Sequence, residues 1–343
     1  MLNVLTRGLA RSRTIRHPSG STVRTPLLVP AFSTKGFRFK GSRSEIREYM
    51  KWAQPLLEDS FLVSAYDLYY GHLPSPKNLP RARLMFLDSG GYETSVSHDL
   101  SAVFQHNCEC KAWDEGRMRE VVAGWPESLP AAIVSFDHGQ HRVSLSRQIR
   151  AAHRLFSSIP GHLHELILKP EKSWNGYLEC EAVCAHVKKF GDFHILGVTE
   201  KELGKSTKDR VINLANIRRA LDMANIDVPL HVFGSLDPVT STLYFLAGGE
   251  IFDGLTWLRY GYLGGAALYY QNYALLEPSL SMSWEDEKSI GYMVLSNLNY
   301  LSRLRDDMMA YLSNGNFRRF EPALRKCAER TYEILCTEMG GQS

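Results

Sequence analysis

The chain has 343 residues, of which 44% are hydrophobic, and 40 Lys and Arg stand against 37 Asp and Glu. This composition is typical of a globular protein and excludes a disordered or fibrous one. No apolar stretch reaches the roughly 18 to 20 residues of a membrane-spanning helix, so we expect no membrane association. Six cysteines without a secretory signal predict reduced thiols and a cytoplasmic location.

The basic residues are concentrated near the amino terminus. Residues 1–44 contain nine Lys and Arg and no acidic residue, which leaves 31 basic and 37 acidic residues in the rest of the chain. Such a segment is typical of a surface that binds a polyanion, because Lys and Arg release counterions from phosphates. A solvated basic edge and a mitochondrial transit peptide are the alternative interpretations.

Short apolar runs follow one another along the chain with room for a helix between them. They are apolar rather than alternating, which is typical of strands buried on both faces. Helical patterns over 144–156 and 211–224 lie between them, so eight units predict an α/β fold, a (β/α)8 TIM barrel. A doubly wound open sheet is the alternative, but no Gly-x-Gly-x-x-Gly fingerprint follows an early run. The runs are 27–32, 61–65, 84–87, 131–136, 165–168, 193–198, 230–233 and 250–252.

The pattern changes after residue 280 to two long helical runs, 284–312 and 320–338. We therefore expect a barrel with an amino-terminal hairpin over residues 1–280 and a C-terminal helical extension over residues 281–343.

Polar residues and glycines follow the predicted strands, at the end of a barrel where active sites lie. Asp88, Asp137 and Asp253 end three strands, so we expect them to converge on one mouth. Carboxylates there act as nucleophile, general acid or base, or hydrogen-bond acceptor, whereas the structural alternative for each is a helix N-cap. Tyr92 and Phe233 are placed to sandwich a flat heterocycle, or else to pack in the core.

Several of these motifs resemble the tRNA-guanine transglycosylase (queuine tRNA-ribosyltransferase) family. Asp88-Ser89-Gly90-Gly91-Tyr92 is similar to the family motif DSGG(F/Y)Q, and Ile251-Phe252-Asp253 followed by Arg259 is similar to FDCVLPTR. The opening hairpin and the TPxxxPV strand have counterparts in residues 13–16, 22–23 and 25–30. Ser135-Phe136-Asp137, Gly197 and His231-Val232-Phe233-Gly234 follow in the family's order, so the resemblance covers residues 10–265.

The resemblance implies an enzyme that exchanges guanine in nucleic acid for a 7-deazaguanine base. Asp253 would be the nucleophile that forms a covalent bond to the ribose C1′, and Asp88 the general acid/base. The other implied contacts are to the base or, for Arg259, to phosphate. The base contacts come from Ser89, Tyr92, Asp137, Lys169, Gly197, Phe233 and Gly234.

The chain also departs from the family pattern. The family's Cys-x-Cys-x-x-Cys and His zinc site has no counterpart in residues 266–343, so we expect no metal and no cofactor, while Cys108-x-Cys110 with His106 forms at best a partial metal shell. Glu93 replaces the motif Gln, Lys169 stands near a base-reading Gln, and either Glu200 or Glu202 would contact the 7-substituent of the base. Loss of the zinc element favours DNA slightly over tRNA as the acceptor.

Two other functions remain open at this point. The family contains non-catalytic accessory subunits that share the barrel and bind nucleic acid or a catalytic partner, but degenerate catalytic residues would mark them. An unrelated carboxylate-using barrel such as a glycoside hydrolase would have sugar-stacking Trp residues at its strand ends, where only Trp257 lies. The resemblance also makes a homodimer or a partner subunit an expectation.

Overall fold

The computed structural model describes residues 5–40, 43–94, 110–137, 141–172, 176–280 and 284–340. Eight parallel strands close into a barrel in which each strand pairs with its neighbours in the chain, and the last pairs with the first. This confirms the predicted (β/α)8 barrel. The strands are β1 (Leu27–Phe32), β2 (Ser60–Ser64), β3 (Leu84–Asp88), β4 (Ala131–Val134), β5 (Leu163–Leu168), β6 (Ile195–Thr199), β7 (Leu230–Phe233) and β8 (Ile251–Gly254).

The observed strands begin and end within two residues of the predicted runs. Their apolar residues are buried because one face fills the barrel and the other packs under the helices, as β1 shows with all six residues buried. The barrel closes where Asp253 in β8 pairs with Val29 in β1. This register places the end of β8 beside the end of β1 at the C-terminal mouth.

Helices alternate with these strands, and several begin at a side-chain cap. Ser206 and Asp209 form a capping box at the start of Thr207–Met223, and Asp237 caps Pro238–Leu246. Asp237 is thus an N-cap at the same end of the barrel as the three candidate aspartates. The remaining α-helices are Ile46–Ala53, Ala65–Tyr69, Gly91–Thr94, Glu115–Ala123, Leu145–Phe156, Cys180–Ala185, Thr256–Arg259, Tyr270–Leu276, Asp286–Asn314 and Pro322–Gly340.

The described residues also form four antiparallel hairpins outside the barrel. They are Leu5–Arg7 with Ala10–Ser12, Thr14–Arg16 with Thr22–Arg24, Phe39–Lys40 with Arg43–Ser44, and Tyr260–Leu263 with Ala266–Tyr269. Single turns of 3-10 helix lie at Gln54–Leu56, Pro76–Asn78 and Glu200–Glu202, and a longer one lies at Val187–Asp192.

Two buried arginines of the basic amino-terminal segment form ion pairs at the end of the barrel opposite the candidate site. Arg13 is 3% exposed and makes a two-pronged ion pair with the buried Glu250, at 2.7 and 2.8 Å, and a further contact with Asp227. Arg11 binds both carboxylate oxygens of Asp222. These side chains therefore hold the hairpin against the barrel and are not available to bind a polyanion.

The two C-terminal helices pack on the barrel and share its apolar core through residues such as Leu298 and Met308. Asn297, in the helix Asp286–Asn314, links that helix to the segment after β8. Its side-chain amide donates to the carbonyls of Trp257 and Tyr260, and its amide oxygen accepts from Tyr262 N–H. Within the described ranges, no helix has both the length and the apolar character needed to cross a membrane.

Candidate active site

The three predicted aspartates all lie at the C-terminal mouth of the barrel. Asp88 ends β3, Asp253 lies in β8, and Asp137 follows β4. Burial raises the pKa of Asp88 to about 6; Gly90 N–H, 3.2 Å from Oδ2, opposes the rise, while the negative charges of Asp253 and Asp137 add to it. The structure therefore brings the three carboxylates into one electrostatic site, in which Asp88 is poised to gain and lose a proton near neutral pH.

The carboxylate of Asp253 is held in place from the end of β7. Gly234 donates its backbone N–H to Oδ1 at 3.1 Å, with a φ of +78° that favours glycine. His231 places Nε2 3.2 Å from the same oxygen, an ion-pair contact whose geometry falls short of a linear hydrogen bond. Asp253 is only 6% exposed, so its orientation is set by the protein rather than by water.

A second carboxylate lies on the other side of the His231 ring. Nδ1 of His231 is 2.7 Å from Oε1 of Glu165, and both side chains are fully buried. Burial alone would lower the pKa of His231, but the charges and hydrogen bonds of Glu165 and Asp253 raise it to about 9. His231 is therefore an imidazolium at neutral pH between two carboxylates.

Sequence reasoning missed the roles of His231 and Glu165. Both residues lie in barrel strands that are mostly apolar, and an ionisable residue that is fully buried in such a strand is the signal that could have drawn attention to them. The pair nevertheless lies 66 residues apart in the chain, so its partnership depends on the barrel register.

Phe233 and Gly197 pack together beside this histidine. The rings of His231 and Phe233 stack with centroids 3.9 Å apart, so His231 occupies one face of the Phe233 ring. A Cβ at Gly197 would lie 2.6 Å from the Phe233 ring and 3.0 Å from Oε1 of Glu165. Gly197 is thus required for this packing, in addition to the base contact predicted for it.

Asp137 belongs to a network of two carboxylates and two cations. The ammonium of Lys169 lies 3.1 Å from both Asp137 and Glu202, and Arg142 lies 3.0 Å from Glu202 and 3.6 Å from Asp137. These ion pairs raise the pKa of Lys169 although burial opposes them. Ser89 supports the network, since its hydroxyl accepts the Asp137 N–H at 3.3 Å. Arg142 is a further member that sequence reasoning missed.

The two glutamates proposed to contact the base have different partners, and only Glu202 belongs to this network. Glu202 contacts Lys169 and Arg142, whereas Glu200 accepts a hydrogen bond from Tyr244 at 3.1 Å and lies 3.5 Å from Arg210. Glu202 therefore joins Asp137 in the site, and Glu200 faces the surrounding helices.

The remaining predicted residues lie around β1 and β3. The Lys35 ammonium sits 4.4 Å from the centre of the Tyr92 ring and donates to the Tyr92 carbonyl at 2.6 Å. Arg259 donates to the Lys35 carbonyl at 2.9 Å and lies over Phe37, while its buried Nε has no hydrogen-bond partner among the described residues. Lys35 thus covers one face of the predicted stacking residue, and Arg259 lies next to Lys35.

Glu93, which stands where the family motif has Gln, carries a proton at neutral pH. Burial raises its pKa to about 8, the charges of Asp67 and Asp88 add to the rise, and a short hydrogen bond from the Ser33 hydroxyl opposes it. A protonated carboxyl has an O–H that donates a hydrogen bond and an oxygen that accepts one. A side-chain amide likewise has an NH2 that donates and an oxygen that accepts. Glu93 can therefore both donate and accept a hydrogen bond at this position, as a glutamine would.

The partial metal shell proposed around Cys108 and His106 lies outside the described residues. Cys110 is exposed. In the part of the chain that the structure describes, no group of three or more His, Cys, Asp or Glu side chains is arranged to hold a metal ion.

No model of a known protein family matches this chain, and no curated protein matches it.

Proposed function

We propose that this protein exchanges guanine in a nucleic acid for a 7-deazaguanine base through a covalent bond between Asp253 and ribose. The observation that carries the proposal is the contrast between two carboxylates at one mouth. Asp253 is held by Gly234 N–H and by the His231 cation, whereas the pKa of Asp88 is raised to about 6. When two carboxyl groups at one site have environments that differ in this way, one can act as the nucleophile and the other as the proton carrier.

In the first step, a carboxylate oxygen of Asp253 attacks C1′ and the bond from C1′ to N9 of guanine breaks. The electron pair passes to N9, and Asp88 supplies the proton that neutralises the departing base. The resulting ester between Asp253 and ribose keeps the nucleic-acid strand intact.

In the second step, the incoming base gives its N9 proton to Asp88 and its N9 attacks C1′. The Asp253 ester bond breaks and the carboxylate is restored. The two steps are symmetrical, so one acid/base residue serves both, as in retaining glycosidases.

The network of Asp137, Lys169 and Glu202 suits a purine edge that carries both a carbonyl and N–H groups. Asp137 accepts from N–H donors, and Lys169 donates to a carbonyl oxygen. Lys35 covers one face of the Tyr92 ring and His231 covers one face of the buried Phe233 ring, so a base would stack on the opposite faces. The target nucleotide must leave its helix to reach a barrel mouth.

The acceptor in this proposal is DNA or tRNA, with DNA slightly favoured because the family's zinc site has no counterpart in the sequence. We assign the phosphate contacts to Lys35 and Arg259, which follow the C-terminal ends of β1 and β8. We place the reaction in the cytoplasm, in keeping with the cysteine content.

Radiolabelled guanine tests the activity and names the acceptor. The purified protein is incubated with labelled guanine and, separately, bulk tRNA and double-stranded DNA, and label retained in polymer is counted. Asp253→Asn should abolish incorporation, whereas Asp227→Asn, at the opposite end of the barrel, should not. If the unmodified protein labels neither polymer, the enzyme proposal fails and a non-catalytic accessory subunit becomes the better account.

A further inference from the structure

The inner wall of the barrel carries a buried charged triplet that the proposed base exchange does not itself require. Glu165 in β5, His231 in β7 and Asp253 in β8 form a continuous line, with contacts of 2.7 and 3.2 Å on the two sides of the imidazole ring. The side chains of Glu165 and His231 are fully buried, and that of Asp253 is 8% exposed. Burying three ionisable groups costs free energy, so an arrangement of this kind calls for a reason.

The aromatic surroundings fix the plane of the histidine. The Phe233 ring stacks on it at 3.9 Å, and Phe86 contacts it edge-on at 5.3 Å. Among the described residues packed around the ring, Glu165 and Asp253 are the charged groups that face it. The ring therefore cannot turn away from Asp253 without removing the cation from both carboxylates.

We propose that His231 is a positioning residue that, anchored by Glu165, fixes the carboxylate of Asp253 and selects Oδ2 as its attacking oxygen. The proposal rests on the base-exchange function proposed above.

The choice of oxygen follows from the contacts of the carboxylate. Oδ1 of Asp253 meets both Gly234 N–H and His231 Nε2. Within the described parts of the chain, Oδ2 makes no hydrogen bond or ion pair. An oxygen with free lone pairs is the better nucleophile, so Oδ2 forms the bond to C1′ while Oδ1 keeps its hydrogen bond from Gly234 and its ion-pair contact with His231.

The positive charge also favours the return of the carboxylate. When the second base attacks C1′, the ester bond to Asp253 breaks and negative charge develops on the departing carboxylate. A fixed cation 3.2 Å away stabilises that charge without reorganisation of solvent. His231 therefore contributes to both steps while contacting neither base.

The test compares His231→Gln and Glu165→Gln with His17→Gln, which removes a buried histidine at the opposite end of the barrel. The first readout is the rate at which the protein forms a denaturation-resistant adduct with nucleic acid. We expect His231→Gln to slow adduct formation about 100-fold, as removal of one preorganised donor does. Glu165→Gln should slow it less, and His17→Gln should leave the rate unchanged.

The second readout does not depend on activity. Nitrogen NMR of histidine-labelled protein, with the signal assigned by its loss in His231→Gln, should show both ring nitrogens of His231 protonated at pH 7. Asp253→Asn and Glu165→Gln should each lower the pH at which that signal titrates. A neutral His231 at pH 7, or a His231→Gln variant that forms adduct at the wild-type rate, would overturn the proposal. If no variant or wild-type protein forms adduct while His231 is protonated, the base-exchange function fails and the charged triplet stands.

Discussion

The ammonium of Lys169 lies 3.1 Å from Oδ2 of Asp137, so the carboxylate predicted to read the base is already paired with a cation. An incoming base must therefore form its hydrogen bonds to Asp137 and Lys169 while these two side chains remain paired with each other. Lys169→Met should therefore raise KM for the incoming base about 10- to 100-fold, corresponding to about 1.5–3 kcal/mol for a hydrogen bond to a charged group. The rate at saturating base should change less, because Lys169 is placed at the base edge and not at C1′.

Lys172→Met is the matched control for this substitution. Lys172 lies three residues further along the chain and pairs with Glu179 on the surface, with 46% of its side chain exposed. Its replacement should leave KM unchanged. Equal changes in KM for both variants would show that Lys169 does not contact the base.

The raised pKa of Asp88 predicts opposite pH dependences for the two substrates. Free enzyme must hold the Asp88 proton to release guanine, so kcat/KM for the nucleic acid should fall about tenfold per pH unit above pH 6. The covalent intermediate must hold Asp88 unprotonated, so kcat/KM for the incoming base should fall instead as the pH is lowered. Steady-state kinetics between pH 5 and 8 measure both. Parallel profiles for the two substrates would argue against a single acid/base residue.

Glu93→Gln should leave exchange activity intact and increase the free energy of unfolding at alkaline pH. The folded-state pKa of Glu93, about 8, lies above its ordinary value, so its contribution to stability is full below about pH 4.5 and is lost as the pH rises through 8. A glutamine never ionises and avoids this loss. The stability difference between variant and wild type should grow by at most about 1.4 kcal/mol per pH unit in that range. Urea unfolding at pH 5, 7 and 8.5 measures it, and a difference independent of pH would mean that Glu93 is not buried as an acid.

Arg13→Met should destabilise the fold without altering the chemistry. It would leave Glu250 buried without its cation, which costs about 3–5 kcal/mol. Arg16→Met, on an exposed position of the neighbouring hairpin strand, should cost far less. Urea unfolding gives the two values, and exchange activity at low temperature should be equal in both variants. A large loss of nucleic-acid affinity in Arg13→Met alone would indicate a binding role that its burial does not suggest.

Much of the fold could be predicted from the sequence because strands buried on both faces are recognisable as short apolar runs. The run at 230–233 coincides with β7, and the helices after 144 and 284 begin within two residues of the expected positions. The predicted boundary at residue 280 is less distinct in space, since Leu298 and Met308 belong to the same apolar core as the barrel.

The candidate site could be predicted only in part. Asp88, Asp137 and Asp253 can be identified because each directly follows a short apolar run of the sequence. The pairing of Glu165 with His231 was not, because neither side chain has a neighbour in the chain that indicates its partner. The same holds for Arg142, which reaches Asp137 and Glu202 from a loop. Contacts of this kind depend on the barrel register and on side-chain direction.

The covalent intermediate tests the central claim most directly. The protein is mixed with end-labelled DNA or tRNA without free base and denatured, and the fraction of label that migrates with protein is measured. Our account predicts an adduct for the wild type and Asp227→Asn, attached by mass spectrometry to the peptide that contains Asp253, and none for Asp253→Asn. An adduct that persists in Asp253→Asn, or guanine exchange that proceeds without any adduct, would contradict it.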